Sequence, residues 1–289
     1  MTGKAVRIYE VGPRDGLQNE PGVVPTATKI ALIDLLSKSG LTHIEAASFV
    51  SPRWVPQMWD AGAVMAGITR APGVTYAALV PNLRGMEAAL AAGVREVAIF
   101  ASASESFSQR NINCSVQESL AHFVPVAALA HEAGVALRGY VSCITHCPYE
   151  GRIDPEAPLF VAEALMGLGC YEVSLGDTLG QALPEHIDRL LAVLLRRINP
   201  AQLAGHFHDT GGRALENVDR ALEAGIRVFD SSIAGLGGCP YAPGAKGNVS
   251  TIPLARHLAA AGWVTGLDAS ALTRAEDFIR GQLAEGTAS

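Results

Sequence analysis

Two histidines separated by a single residue, His206 and His208, carry the clearest chemical signal in the sequence. In a β-strand alternate side chains lie on one face, so a strand through this segment would point both imidazoles the same way. Paired imidazoles can ligate Zn, Mn, Fe or Co, and they can also form a hydrogen-bonded pair without any metal. The motif indicates a metal site only if further ligands lie nearby.

Two more residues complete a candidate ligand set. Asp15 follows a Gly-Pro turn after the first predicted strand, and Asn248 lies in a Gly-Asn-Val sequence after the last one. Imidazole, carboxylate and amide ligands with open positions suit an octahedral ion, so this set predicts Mg²⁺ or Mn²⁺, with Zn²⁺ as an alternative. Without a metal, Asp15 would cap the first helix and Asn248 would be a turn residue.

Arg14 is the candidate group for an anionic substrate. Its planar guanidinium is always charged and can bind two oxygens at once. It can share a site with the adjacent Asp15 only if the chain turns after Pro13, because neighbouring side chains of a regular strand diverge. Three carboxylates are alternative ion-pair partners for it: Glu10, Glu45 and Asp177.

Cys239 lies in a glycine-rich loop, residues 232–244, that follows the last predicted strand. A loop of this composition that carries one thiol is typical of a closing lid with a catalytic acid. An ordinary surface loop with an inert cysteine is the alternative.

The elements that must position these residues repeat along the chain. Five times an Ala/Leu-rich helical stretch ends at a glycine, the residue that closes a helix in the left-handed conformation, and a β-rich run begins at once. The joins are Gly40, Gly93, Gly134, Gly169 and Gly225. The full pattern predicts eight strands, each followed by a helix, near residues 5–10, 43–47, 75–80, 95–100, 135–142, 171–175, 202–207 and 227–231.

Eight near-equal βα units, with no GxGxxG turn after the first strand, favour an α/β fold of the (β/α)8 TIM-barrel type over a doubly wound open sheet. We predict one catalytic domain over residues 1–289, with extra C-terminal helices after Ser250 packed outside the barrel. Active sites of such barrels lie where the strands end, which is where the candidate residues fall.

The composition excludes several other classes of protein. The 289 residues are 49% hydrophobic and 17% charged, with a formal net charge of −6 and no run of Lys or Arg, so we expect a globular protein that does not bind nucleic acid. The start lacks a signal-peptide pattern and no apolar stretch approaches the ~20 residues of a membrane helix, so we expect a cytoplasmic protein without a membrane partner. Five scattered cysteines fit reduced thiols better than disulfides.

Seven strings, in order between Glu10 and Asn248, resemble the 3-hydroxy-3-methylglutaryl-CoA lyase family. They are VGPRDGLQNE, FSQRNINCS, RGYVSC, CPYEG, SLGDT, HFHDT and SSIAGLGGCPYAPGAKGN. The glycine-rich cysteine loop is close to the signature of that family, and Arg-Asp-Gly marks the wider group of metal-dependent lyase barrels. The resemblance implies a retro-Claisen cleavage of the acyl-CoA into acetyl-CoA and acetoacetate.

The resemblance also implies roles for particular residues. The metal ligands would be Asp15, His206, His208 and Asn248. The catalytic residues would be Arg14, the base His206 or Asp15, and Cys239, which would protonate the departing thioester enolate. The substrate contacts would be Arg14, Gln18, Glu45 and Asp177.

Two positions depart from the pattern of the family. Ser250-Thr251-Ile252 stands where Ala-Thr-Glu is usual, and Gly211 stands where Tyr commonly follows His-Asp-Thr. We expect both positions near the mouth of the barrel, which leaves a related 3-hydroxy-acyl-CoA open as the substrate.

Other functions remain as alternatives at this point. A Claisen-condensing acyltransferase or a 4-hydroxy-2-oxo-acid aldolase would share the Arg-Asp and His-x-His elements, but the cysteine loop favours the lyase. A barrel that acts only as a binding module would be expected to lack a ligand or Arg14, and the sequence retains them. The expected partner is the acyl-CoA substrate, and a homo-oligomer is left open.

Overall fold

The computed structural model describes residues 4–238 and 247–286. Eight parallel strands close into a barrel in the order β1-β8-β7-β6-β5-β4-β3-β2. The strands are β1 (Arg7–Glu10), β2 (His43–Ser48), β3 (Thr75–Leu79), β4 (Glu96–Ser102), β5 (Ala136–Ser142), β6 (Glu172–Asp177), β7 (Leu203–Phe207) and β8 (Val228–Ser231). The predicted (β/α)8 barrel is therefore confirmed, and each strand lies within two residues of its predicted bounds.

Ten helices cover the outside of this barrel in the described residues. They are α1 (Thr26–Leu36), α2 (Ala61–Gly67), α3 (Leu83–Ala91), α4 (Glu105–Ile112), α5 (Val116–Glu132), α6 (Glu156–Gly167), α7 (Pro184–Leu194), α8 (Ala214–Glu223), α9 (Thr251–Ala260) and α10 (Ala269–Gly286). Helix α9 completes the eighth βα unit, and α10 packs against α1 and α9. The two helices predicted after Ser250 are thus present. None of the helices in residues 4–238 and 247–286 is both long and apolar enough to cross a bilayer.

The helix-to-strand joins have the predicted geometry. All five predicted glycines have a positive φ, between 63° at Gly134 and 99° at Gly225, and each precedes a barrel strand. Residues other than glycine rarely adopt a backbone conformation with positive φ. A glycine at each join therefore lets the helix stop and the buried strand begin within a few residues.

Two elements between the predicted units had no counterpart in the sequence analysis. Helix α4 follows β4 and is tied to α5 by the bond from the Val116 N–H to the Glu105 carboxylate. A two-stranded hairpin, His146–Cys147 with Gly151–Arg152, follows β5. Both lie on βα loops, where barrels of this type vary most.

Candidate metal centre and active site

The segment after β1 forms one π-helical turn, Gly12–Gly16, that starts the site. The carbonyl oxygen of Val11 accepts the N–H groups of Arg14 and Gly16, at 3.2 and 3.1 Å. The turn places Arg14 and Asp15 together at the wall of one cavity. The turn after Pro13, which the sequence required for a shared site, is observed.

Three of the four predicted metal ligands converge above the carboxyl ends of the strands. One ligand atom each from Asp15, His206 and His208 lies within 4.8 Å of the other two. The Nε2 atoms of the histidines are 3.3 Å apart, and Asp15 Oδ2 lies 3.9 Å from His206 Nε2. A carboxylate oxygen and two imidazole nitrogens at this separation form a candidate metal-binding cluster.

The protonation states of Asp15 and the two histidines suit the binding of a cation. Burial opposes ionisation of Asp15, but Arg14 and the two histidines lower its pKa to about 2, so it is an anion at neutral pH. Burial and the neighbouring His206 lower the pKa of His208 to about 4, so its imidazole is neutral. Burial alone would lower the pKa of His206, but the hydrogen bond and charge of Asp230 outweigh it and raise that pKa. His206 Nε2 is available for either a proton or a metal ion.

The fourth predicted ligand, Asn248, contacts the cluster through its amide nitrogen. Its Nδ2 donates to Asp15 Oδ2 at 2.8 Å and to the Leu236 carbonyl oxygen at 3.2 Å. The residue therefore orients the Asp15 carboxylate in this arrangement. Its role as a metal ligand through the carbonyl oxygen stays a prediction.

Arg14 is buried and pairs with two carboxylates. Its Nε and Nη2 contact Glu45 Oε2 at 2.7 and 2.6 Å, and its Nη1 contacts Asp15 Oδ1 at 2.6 Å. Of the three alternative ion-pair partners that the sequence offered, Glu45 is the one observed. Arg14 also lines the cavity, so the ion pair and the predicted contact with a substrate do not exclude each other.

The other predicted substrate contacts lie at different depths. Gln18 lines the cavity, whereas Glu45 is fully buried behind Arg14. The carboxylate of Asp177 accepts bonds from the Ala182 N–H, at 2.9 Å, and from the Thr145 hydroxyl. Burial raises the pKa of Asp177 to about 6, and its side chain is outside the cavity lining. The contacts of Glu45 and Asp177 with a substrate stay predictions.

The cavity beside the cluster has a volume of about 950 Å³. Its charged end is formed by Arg14, Asp15, His206 and His208. Leu79, Phe100 and Phe107 are among the apolar residues of its walls, together with the exposed Trp54 near its rim. A cleft of this size, with apolar side chains on part of its wall and charged groups converging at one end, is typical of a site for a small organic ligand. Cys239 lies outside the described residues, although Gly238, just before it, lines the same cavity.

The two departures from the family pattern lie in different surroundings. Ile252 is 8% exposed and belongs to the hydrophobic core under α9. Gly211 is exposed, and its N–H bonds to the Gly180 carbonyl oxygen. Neither residue lines the cavity, so neither contacts a ligand bound there.

Sequence reasoning gave no role to four buried polar residues below the cluster. Asp230 accepts hydrogen bonds from the Ser174 hydroxyl and from the Arg138 guanidinium, and its Oδ2 lies 3.0 Å from His206 Nδ1. Tyr140 packs edge-on against the His206 ring, with centroids 5.9 Å apart. The sequence marked all four only as polar residues in otherwise apolar strands. Such residues are costly to bury without hydrogen-bond partners, which could have indicated a shared network.

Comparisons with known proteins agree with this geometry. The profile of the HMGL-like family matches residues 5–279. The chain is 55% identical over 276 residues, 96% of this chain and 92% of the relative, to the 3-hydroxy-3-isohexenylglutaryl-CoA/hydroxy-methylglutaryl-CoA lyase of Pseudomonas aeruginosa. It is 52% identical over 286 residues, 99% of this chain and 94% of the relative, to the hydroxymethylglutaryl-CoA lyase of Pseudomonas mevalonii.

A crystal structure shows the same fold at similar identity. The HMG-CoA lyase of Brucella melitensis superposes with a TM-score of 0.96 and 53% identity, over 97% of this chain and 99% of that one. With a family profile spanning nearly the whole barrel and relatives above half identity, the chain belongs to the HMGL-like family.

Proposed function

We propose that the protein is a divalent-metal-dependent carbon-carbon lyase that cleaves 3-hydroxy-3-methylglutaryl-CoA, or a closely related 3-hydroxy-acyl-CoA, into acetyl-CoA and acetoacetate or its homologue. The observation that carries the proposal is the convergence of Asp15, His206 and His208 within 4.8 Å, beside the guanidinium of Arg14. The names of the relatives supply the substrate class.

The residues that would hold the metal are Asp15, His206 and His208, with Asn248 as the proposed fourth ligand. One carboxylate and an amide oxygen favour Mg²⁺ or Mn²⁺, although two imidazoles also suit softer ions. When bound, the ion would supply Lewis-acid polarisation of the substrate oxygens and lower the pKa of the tertiary hydroxyl.

The first proton transfer needs a base beside the substrate hydroxyl. Asp15 is already held by Arg14 and Asn248, and its pKa of about 2 makes it a weak base. Asp230 raises the pKa of His206 above its usual value. Because both residues are also proposed metal ligands, His206 and Asp15 both stay candidates for the group that accepts the hydroxyl proton.

Cleavage then divides the carbon skeleton. As the hydroxyl oxygen becomes a ketone oxygen, the carbon-carbon bond breaks and its electron pair passes to the thioester enolate. Arg14 would stabilise negative charge on the reacting oxygens, because its guanidinium faces the cavity and is fixed by Glu45 before any substrate binds. One proton must be delivered to the enolate carbon to give acetyl-CoA, and Cys239 is the proposed acid.

The alternatives are less well supported. A non-catalytic barrel is disfavoured because Arg14, Asp15, His206, His208 and Asn248 are all present at one end of the cavity. A condensing acyltransferase or an oxo-acid aldolase is disfavoured by the names of the relatives. We also propose a single catalytic domain and a cytoplasmic location, with no nucleic-acid partner and the oligomeric state open.

The test is the release of acetyl-CoA from a panel of 3-hydroxy-acyl-CoA thioesters. Enzyme stripped with a chelator and then dialysed is expected to be inactive, and Mg²⁺ or Mn²⁺ is expected to restore cleavage of the 3-methylglutaryl thioester. Thioesters with longer 3-substituents measure how far the apolar walls accept a larger group. No turnover of any member of the panel with either metal would contradict the proposed function.

A further inference from the structure

We infer that Asp230, held by Arg138, is the positioning residue that keeps the proton of His206 on Nδ1 and so turns the Nε2 lone pair toward the cation. The inference rests on the proposed metal centre. Asp230 and Arg138 are outside both the cavity lining and the proposed set of metal ligands.

The groups around Asp230 are placed to donate hydrogen bonds to its carboxylate. Its side chain is fully buried, and Oδ1 accepts from Arg138 Nη2 at 2.7 Å. Oδ2 accepts from the Ser174 hydroxyl at 2.7 Å and lies 3.0 Å from His206 Nδ1. Since the carboxylate is ionised beside a guanidinium, the hydrogen between it and His206 must belong to Nδ1. In the neutral imidazole the opposite nitrogen, Nε2, then faces Asp15 and His208 with its lone pair.

Arg138 fixes the orientation of this carboxylate. Its guanidinium is fully buried and lies 4.1 Å from the centre of the Tyr9 ring. Nε donates to Glu172 Oε1 at 2.9 Å and Nη1 donates to the Tyr140 hydroxyl at 2.8 Å. Contacts on several sides leave the guanidinium little freedom to rotate, so Asp230 is held in a set plane.

A second chain of contacts runs from Arg138 to the other side of the cluster. The Tyr140 hydroxyl donates to Glu45 Oε2 at 3.3 Å, Glu45 pairs with Arg14, and Arg14 pairs with Asp15. The two chains meet where Asp15 Oδ2 lies 3.9 Å from His206 Nε2. The result is a closed ring of seven side chains: Asp15, Arg14, Glu45, Tyr140, Arg138, Asp230 and His206.

The ring explains why polar side chains are buried at the carboxyl end of this barrel. Removing one partner from a buried charged pair leaves an uncompensated charge, so such a ring is costly if it serves stability alone. Its members connect a metal ligand on β7 with the turn after β1 through side chains of β2, β5 and β8. Asp15, Arg14 and His206 are thereby fixed relative to one another before a ligand enters, which is the preorganisation that ligation requires.

The first experiment measures the tautomer of His206 directly. Two-bond ¹H–¹⁵N correlation spectra of metal-free enzyme with ¹⁵N-labelled histidine distinguish the two neutral tautomers, at a pH high enough to deprotonate the ring. The signals of His206 are assigned from their loss in His206→Gln. The wild type is expected to show the proton on Nδ1, and a proton on Nε2 would overturn the inference, whether or not any other variant folds.

The second experiment uses Asp230→Asn with Ser174→Ala as the matched control. The asparagine cannot accept from Arg138, Ser174 and His206 at once, and its amide N–H directed at Nδ1 would move the ring proton to Nε2. The affinity for Mn²⁺, measured by calorimetry, is expected to fall by roughly 10–100-fold, as for other carboxylate partners of ligating histidines. Ser174→Ala removes a bond to the same oxygen but should preserve both the tautomer and the affinity.

The results separate this inference from the proposed function. Equal Mn²⁺ affinity of folded Asp230→Asn and wild type would refute the positioning role. An equal loss in Ser174→Ala would also refute it, because it would indicate a general packing defect. If the wild type binds no divalent cation at all, the metal centre itself fails, whatever the tautomer of His206.

Discussion

Replacing Glu10 by glutamine is expected to stabilise the protein at alkaline pH and to leave its stability unchanged at acid pH. The Glu10 side chain is fully buried between the turn after β1 and the turn after β8. Oε1 accepts the N–H groups of Gly12 and Ile233, both at 2.8 Å, and Oε2 contacts the Thr251 hydroxyl at 2.6 Å. A glutamine can keep all three contacts, because its amide N–H can donate to Thr251.

The magnitude follows from the pKa. Burial raises the pKa of Glu10 from its ordinary value of 4.5 to about 7, despite the opposing effect of the hydrogen bonds. A carboxyl group with a raised pKa in the folded protein contributes stability below pH 4.5 and loses it as the pH rises through 7. At about 1.4 kcal/mol per pKa unit, the wild type loses about 3 kcal/mol across this window, and Glu10→Gln does not.

The assay is chemical or thermal unfolding of both proteins near pH 4 and near pH 8.5. The difference between variant and wild type isolates Glu10 from the other groups that titrate. It should be close to zero at the lower pH and about 3 kcal/mol at the higher one, or roughly 5 °C in Tm for a chain of this length. The exposed Glu216→Gln is the control and should show no such change. A variant that is less stable than the wild type near pH 8.5 would refute the reasoning, because the three donors would then be holding an anion.

Three further results are expected. Arg14→Lys keeps the charge but loses the planar fork, so kcat measured at saturating Mn²⁺ should fall by roughly 10²–10³-fold; a kcat within a few fold of wild type would count against Arg14 as the charge-stabilising group. Lys29→Met breaks the buried 2.7 Å pair with Asp60, away from the cavity, so urea unfolding should show a loss of roughly 3–5 kcal/mol with unchanged KM at permissive temperature. Gly247→Ala would place a Cβ 1.5 Å from the Gly237 carbonyl oxygen and must displace the neighbouring Asn248, so weaker Mn²⁺ binding is expected, and unchanged affinity would contradict this placement.

The barrel was predictable from the sequence because its rules are local. A helix that ends at glycine and a following run of apolar residues specify a βα unit without knowledge of any distant residue. The convergence of Asp15 with His206 and His208 was also predictable, because the carboxyl ends of parallel strands meet at one end of a barrel.

The polar ring could not be predicted, because it depends on register and rotamer. Arg138 and Asp230 are 92 residues apart, and their contact requires both strands to be placed in the closed barrel. Tyr140 and Glu45 are 95 residues apart and lie on strands that are not neighbours in the sheet. The sequence marked these positions only as polar residues in apolar strands.

Two expectations about local placement had different outcomes. The expected turn after Pro13 is observed because Gly16 allows a close approach: a Cβ there would lie 2.6 Å from Ser232 Oγ. Ile252 was expected near the mouth, but it does not line the cavity, because the residue lies in the first turn of α9, whose apolar side packs into the core. Position after a strand does not by itself determine whether a side chain faces the cavity or the barrel wall.

Electron spin-echo spectroscopy of Mn²⁺ bound to the enzyme tests the metal centre most directly. The magnetic coupling between the ion and nearby ¹⁴N nuclei reports imidazole nitrogens that are bound to it. One Mn²⁺ per chain with couplings from two histidines is expected, reduced to one histidine in His208→Gln. A bound ion that shows only water and carboxylate oxygen around it would contradict a cation held between His206, His208 and Asp15.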